Sequence, residues 1–277
     1  MEGVDTLVLL KGLALAAWLA LLFVLERLRP MAVRPDGDRG RPGALRLARN
    51  AGLWVANTAL SPLVVVPVSV WAAGLTAWRP EAWSGGWAIA VDVLILDAWI
   101  YWWHRANHEF PLLWRFHEVH HLDRFLDTTS AVRFHFGEVL LGAAVRLPVI
   151  VAFDIPWASI LVFETLVLAG ALFHHSNLKL PPRLERALAR VVVTPSIHWV
   201  HHHRVRRDTD SNYATVFSFW DPLFGSRSRT ARWPAMPIGV EGRDERGFLG
   251  LLSRPFEAEP RAAGGGSEPL GRPDGGA

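Results

Sequence analysis

Twelve histidines stand in this chain of 277 residues, and ten of them fall into four close-set groups. These are His104-x3-His108, His117-x2-His120-His121, His174-His175 and His198-x2-His201-His202, with His203 trailing the last and His135 standing alone. Spacings of three and four put imidazoles on one face of a helix, and neutral imidazole is the commonest metal ligand in proteins. So many imidazoles exceed what one ion needs, which implies two metals. Imidazole serves iron, copper, zinc and nickel alike, so ligand type does not choose among them. The chain has no cysteine. Disulfides, thiolate zinc sites, cysteine-held iron–sulfur clusters and c-type haem are therefore excluded, and any cage is built of nitrogen and oxygen.

Two other chemistries compete for these residues. The stretch His117-Glu118-Val119-His120-His121 satisfies H-E-x-x-H, the zinc-protease pattern in which two histidines bind one zinc and the glutamate is the general base. That reading leaves at least five clustered histidines idle. The second triple-histidine box, 198–202, has no glutamate after its first histidine. The other competitor is a non-catalytic membrane metal carrier or sensor. A preformed buried cage with acids behind its imidazoles opposes it, since tightly held metal exchanges slowly. Asp97, Tyr101, His104 and His108 are spaced i, i+4, i+7 and i+11 and share one helical stripe,. This spacing predicts Asp97 and Tyr101 as partners of the ligand imidazoles from one or two turns below.

The elements that must position these groups are membrane elements. Apolar residues make up 51% of the chain and mean hydropathy is +0.19, high for a soluble protein. The fourteen tryptophans suit rings at a water–lipid boundary,. Residues 6–25 are long enough to cross a bilayer,. The chain opens MEGVD and leaves this run through ERLRP, which predicts a retained span rather than a cleaved leader,. A polar loop with six arginines follows over 29–49. Then come spans at 51–78, broken by Pro62 and Pro67, and at 87–103, carrying Asp92 and Asp97. An apolar pair, 139–153 and 157–173, forms a hairpin around Asp154-Ile155-Pro156 that is short for a full crossing. The expectation is an all-α, polytopic membrane protein of about four transmembrane helices over residues 1–254, with a disordered Gly/Pro/Ala-rich tail over 255–277.

Net charge is +3, and all but two of the 29 basic residues are arginine. The arginines sit between apolar spans, which fits lipid headgroups and the positive-inside rule rather than nucleic acid. An inside 29–49 loop brings all four histidine groups to the cytoplasmic face of a cell (inner) membrane.

The residues also resemble a known family, the fatty acid hydroxylase or sterol desaturase superfamily of membrane di-iron oxygenases. The matching stretches run in the family's order: DAWIYWWHRANH (97–108), PLLWRFHEVHH (111–121), RFHFGE (133–138), FHHSNLKLP (173–181), TPSIHWVHH (194–202) and DSNYATVFSFWDPLFG (210–225). The resemblance implies His104, His108, His117, His120, His121, His175, His198, His201 and His202 as iron ligands, with His135 a tenth. It implies that Glu109, Glu138, Asp210 and His174 orient ligands rather than bind. Phe136, Ala214 and Trp199 depart from the family's usual proline, glycine and arginine, which bears on substrate preference rather than on metal. The implied activity is O2-dependent hydroxylation or desaturation of an apolar lipid such as a fatty acyl chain or sterol, or cleavage of an ether lipid. The chain shows no flavin, nicotinamide or cytochrome signature. An external ferredoxin- or cytochrome-type electron donor is therefore expected on the cytoplasmic face, where Arg204, Arg206 and Arg207 would steer an acidic partner.

Overall fold

A computed structural model describes residues 2–34 and 41–257. The expected tail lies outside the described residues from 258 onward. Every regular element among them is helical; the only β pairings are three isolated bridges. The long helices are α1 (Glu2–Leu28), α2 (Arg41–Leu60), α3 (Val66–Ala73), α4 (Gly85–Glu109), α6 (Phe136–Ala152) and α7 (Trp157–His175). Between α4 and α6 lie α5 (Pro111–His121) and a 3-10 turn, Thr128–Val132. After α7 come the short helices α8 (Pro182–Leu188) and α9 (Pro195–His201).

Four stretches are long and apolar enough to cross a membrane: Leu9–Leu28, Gly43–Ala73, Gly85–Glu109 and Trp157–His175. The second runs through α2 and α3 without a break. A π-helical turn, Ser61–Val65, absorbs Pro62, whose ring supplies no N–H to an α ladder,. The outward faces of these helices carry Leu9, Leu13, Leu21, Val55, Leu63 and Trp71, all exposed, the kind of apolar surface a bilayer covers. Of the expected hairpin, α7 is long enough to span. Helix α6 is a little shorter and carries Arg146 and Pro148. Asp154 turns the chain between them with φ +49° and accepts hydrogen bonds from Thr76 and the Arg79 backbone.

The expected polar loop over 29–49 ends early, because α2 begins at Arg41. Arg46 is the reason. Its buried guanidinium reaches Asp123 at 2.6 Å and Asp127 at 2.8 Å, and Asn50, one turn on, donates to the same Asp123. Burial alone would raise both carboxyls. The guanidinium overrides that and holds them below the ordinary carboxylate range,. Glu26, near the end of α1, accepts from the Thr128 and Asn177 amides. These ties lock the polar cap onto the membrane bundle. Inside the bundle, Val93, Leu96, Ile150, Ile160 and Phe163 form an apolar core between α4, α6 and α7.

Candidate metal centre

The C-terminal ends of α4 and α7 meet the short helices α5 and α9, and each brings histidines to the same point. His104 and His108 come from α4, His117, His120 and His121 from α5, and His175 from α7. His198 and His201 come from α9, and His202 is its C-cap. They divide into two clusters. One is His104, His108, His117, His121 and His201; the other is His120, His175, His198 and His202. Within each, the ligand nitrogens lie within 4.8 Å of one another. The clusters share a wall, where the His121 and His202 rings stack with centroids 4.2 Å apart.

Hydrogen bonds on the far side of the rings fix which nitrogen is bare. The Tyr213 carbonyl accepts from His104 Nδ1 at 2.7 Å, and the Glu138 carboxylate accepts from His117 Nδ1 at 2.8 Å. The carbonyls of Arg133 and Ala171 accept from Nδ1 of His120 and His175 at 3.1 and 2.8 Å. A carbonyl can only accept, so each of these Nδ1 atoms carries the proton. In the neutral ring each Nε2 is then a lone pair. Yet His104 Nε2 lies 3.2 Å from His117 Nε2, and His120 Nε2 lies 3.0 Å from His175 Nε2. Two lone pairs at that distance repel and cannot hydrogen-bond. A cation between them removes the conflict: nitrogens at right angles on an ion ~2.1 Å away are roughly 3 Å apart. One such pair sits in each cluster. His108 Nε2 and His201 Nε2 are buried with no hydrogen-bond partner, as orphaned donors aimed at a metal would be.

The electrostatics agree. Burial, reinforced by neighbouring imidazoles, pushes His120, His121, His198 and His202 well below the usual histidine range. It does the same to His201, on which His104 also acts. The neutral, metal-binding form is therefore the resting form. All-nitrogen donor sets of five and four suit first-row transition ions.

Several expected partners sit elsewhere. His135 joins neither cluster. Its Nδ1 accepts from the Gly137 amide at 2.9 Å, capping α6, and its Nε2 donates to the Leu252 carbonyl at 3.1 Å. Both nitrogens are occupied by backbone. Asp97 touches no imidazole; it accepts from the amides of Val216 and Phe217 and from Trp220 Nε1. The Tyr101 hydroxyl bonds Ser226, and Glu109 bonds the Arg105 guanidinium. Glu138 does hold a clustered imidazole. Asp210 approaches His108 Nδ1 at 3.4 Å while accepting from Arg206. His174 is buried with neither nitrogen partnered, its ring 3.9 Å from that of His198. The protease pattern loses its base: Glu118 points to Arg254 and Arg243, at 2.5 and 3.3 Å. Sequence reasoning missed the carbonyl acceptors of Tyr213, Arg133 and Ala171, and that of Ser211 on His201, because backbone carries no residue signal. It also missed Phe134, whose ring lies flat on His120 at 4.4 Å.

Imidazoles of both clusters, His104 and His117 of one and His120, His175 and His198 of the other, line a cavity of about 470 Å³ whose apolar lining includes Trp54, Ile100, Val139, Phe163, Val167 and Leu168. A second, basic groove of about 620 Å³ lies on the cap, lined by Trp114, Arg115, Arg204, Arg206 and Arg243.

A helical bundle built to span a membrane, with paired histidine cages at one end of an apolar cavity, defines a membrane protein of the histidine-box kind. Residues 89–226 match the fatty acid hydroxylase family, and the chain belongs to that family through this stretch. The chain is 27% identical to an ornithine lipid hydroxylase of Rhizobium tropici over 249 residues, covering 87% of this chain and 74% of that one. It is 32% identical to an alkylglycerol monooxygenase of Xenopus tropicalis over 146 residues, 52% of this chain but 31% of the relative. A cholesterol 25-hydroxylase-like protein of Danio rerio is 30% identical over 164 residues, 54% of this chain and 62% of that one. No solved structure matches the chain.

Proposed function

We propose that the chain is an O2-dependent di-iron oxidoreductase that hydroxylates a carbon of a long-chain lipid. One observation carries this reading: His104, His117, His120, His175 and His198 line the same cavity as a run of apolar side chains. A metal-ligating wall facing a largely apolar space of alkyl-chain size suits C–H chemistry on a lipid chain. The relatives named above as hydroxylases and monooxygenases of lipids support it.

His104, His108, His117, His121 and His201 would hold one iron and His120, His175, His198 and His202 the other. Bound there, iron supplies the redox chemistry that O2 activation requires. The balance is one C–H, one O2, two electrons and two protons giving one C–OH and one water. The chain's own residues do the rest. Glu138 and the carbonyls of Tyr213, Arg133, Ala171 and Ser211 orient the imidazoles. Phe134, flat on the His120 ring, and Val139 give the cavity an apolar wall beside the histidines.

The electrons come from an acidic ferredoxin- or cytochrome-type protein docking on the basic groove. Arg206 supports this path: it donates to the His108 carbonyl at 2.9 Å and to Asp210, whose other oxygen faces His108. The positive-inside rule then puts the cap on the cytoplasmic side of the cell membrane.

The test is a lipid comparison between cells expressing the wild type and cells expressing His120→Ala, under air, with the reductase supplied. A lipid heavier by one oxygen, present only with the wild type, is the expected result; loss of two hydrogens instead means desaturation. Identical lipids in the two strains sink the oxidation reading.

A further inference from the structure

The cavity has a second end, and it is charged. Its wall along α7 runs from His175 back to Glu164, eleven residues or ~16 Å of helix. Along α6, Arg146 is eight residues beyond Glu138, ~12 Å. Arg146 Nη2 donates to Glu164 at 3.0 Å and to Ser69 at 3.2 Å. Lys11 of α1 approaches the other Glu164 oxygen at 3.9 Å. Among the described residues, two cations therefore share one carboxylate. The Arg146 side chain is only 9% exposed, lines the cavity, and keeps a buried Nε with no partner.

A surplus positive charge inside a membrane bundle is costly unless something answers it. A structural ion pair would balance; here Arg146 and Lys11 set two positive charges against the one negative charge of Glu164, and of the two cations it is Arg146 that lines the cavity. The apolar walls between it and the histidines admit an alkyl chain. A volume near 470 Å³ is in the range that encloses one small ligand, hence a single chain and not a whole two-chain lipid.

We propose that Arg146, supported by Lys11, forms an oxyanion subsite that holds the carboxylate or phosphate of a lipid whose chain runs along α7 to the histidine clusters. The position of oxidation is then counted from the head group. That consequence rests on the function proposed above, whereas the binding itself does not.

Binding needs neither O2 nor electrons, so it is measured on the purified full chain in detergent. The probes are hexadecanoate, hexadecyl phosphate and methyl hexadecanoate, each displacing a fluorescent long-chain fatty acid. Wild type is expected to bind at least one anion about tenfold or more tighter than the ester, the worth of a charge-assisted hydrogen bond. The preferred anion tells a single-chain carboxylate from a single-chain phosphate. Arg146→Gln should abolish the difference and Arg146→Lys keep most of it. Glu164→Gln should widen it, because removing the competing carboxylate frees the cations. A merely structural pair predicts that Arg146→Gln and Glu164→Gln weaken all three probes together. That result, or equal binding of acid and ester to wild type, overturns the subsite. Lys11→Gln reads the same sign if Arg146→Gln does not fold. A chain that binds anions through Arg146 but oxidises no lipid keeps the subsite and loses the oxidation. Oxidation with anion binding indifferent to Arg146 does the reverse.

Discussion

His135 separates a reading by motif from a reading by geometry, and replacing it gives opposite results under the two. The R-x-H element makes it a tenth ligand. In the fold, both of its nitrogens are engaged by backbone, one capping α6 at Gly137 and one on Leu252. His135→Ala therefore removes an N-cap, ~0.5–2 kcal/mol, and a second hydrogen bond, ~0.5–1.5 kcal/mol. At about 2–4 °C per kcal/mol for a chain of this class, melting should fall by roughly 2–14 °C. Metal content should not change. His135→Asn, which can still cap, should recover part of the loss. His120→Ala should do the converse. It leaves the second cluster three imidazoles and should take bound metal from about two ions per chain to about one. Elemental analysis of anaerobically purified protein, run beside thermal unfolding in the same detergent, reads both quantities. If His135→Ala loses metal as His120→Ala does, with its melting unmoved, the assignment of nine clustered ligands is wrong.

Three further outcomes follow from the same contacts. Glu138→Gln removes the charge behind His117, so metal affinity or turnover should drop about 10- to 100-fold without loss of fold, read by metal competition and product formation. Glu118→Gln breaks buried pairs with Arg254 and Arg243; it should lower melting while lipid oxidation per folded molecule persists, and abolished oxidation in a well-folded variant would restore a catalytic Glu118. Asp123 and Asp127 have depressed carboxyls, so the stability they contribute is complete above the unfolded carboxylate range and drains away as pH falls below about 4; unfolding scans between pH 7 and pH 3 should show that slope, and Arg46→Leu should flatten it.

The spans were legible because a membrane demands unbroken apolar length, and the cage was legible because imidazoles at three and four residues have few other uses. What failed shares one cause. Asp97 lies on the predicted stripe with His104, but its carboxylate is taken by amides more than a hundred residues away, at Val216 and Phe217. Arg46 reads as one more loop arginine until Asp123 and Asp127 fold against it. Both are partners chosen by tertiary packing, which spacing along one helix does not encode.

Helix geometry accounts for how the ligands divide. Each residue turns an α-helix by about 100°, so in H-x2-HH the first and last histidines lie nearly one above the other while the middle one points off to the side. Accordingly His117 and His121 meet, Nε2 to Nε2 at 3.2 Å, in one cluster, and His120 serves the other. His198 and His202 meet at 3.1 Å in the second cluster, and His201 serves the first. Each triple box therefore gives a pair to one cluster and a single imidazole to its neighbour, with the two boxes assigned oppositely. A lone H-x3-H could complete at most one site. The middle histidine in each box ties the two clusters together, so that they share a wall and imidazoles of both line the same cavity.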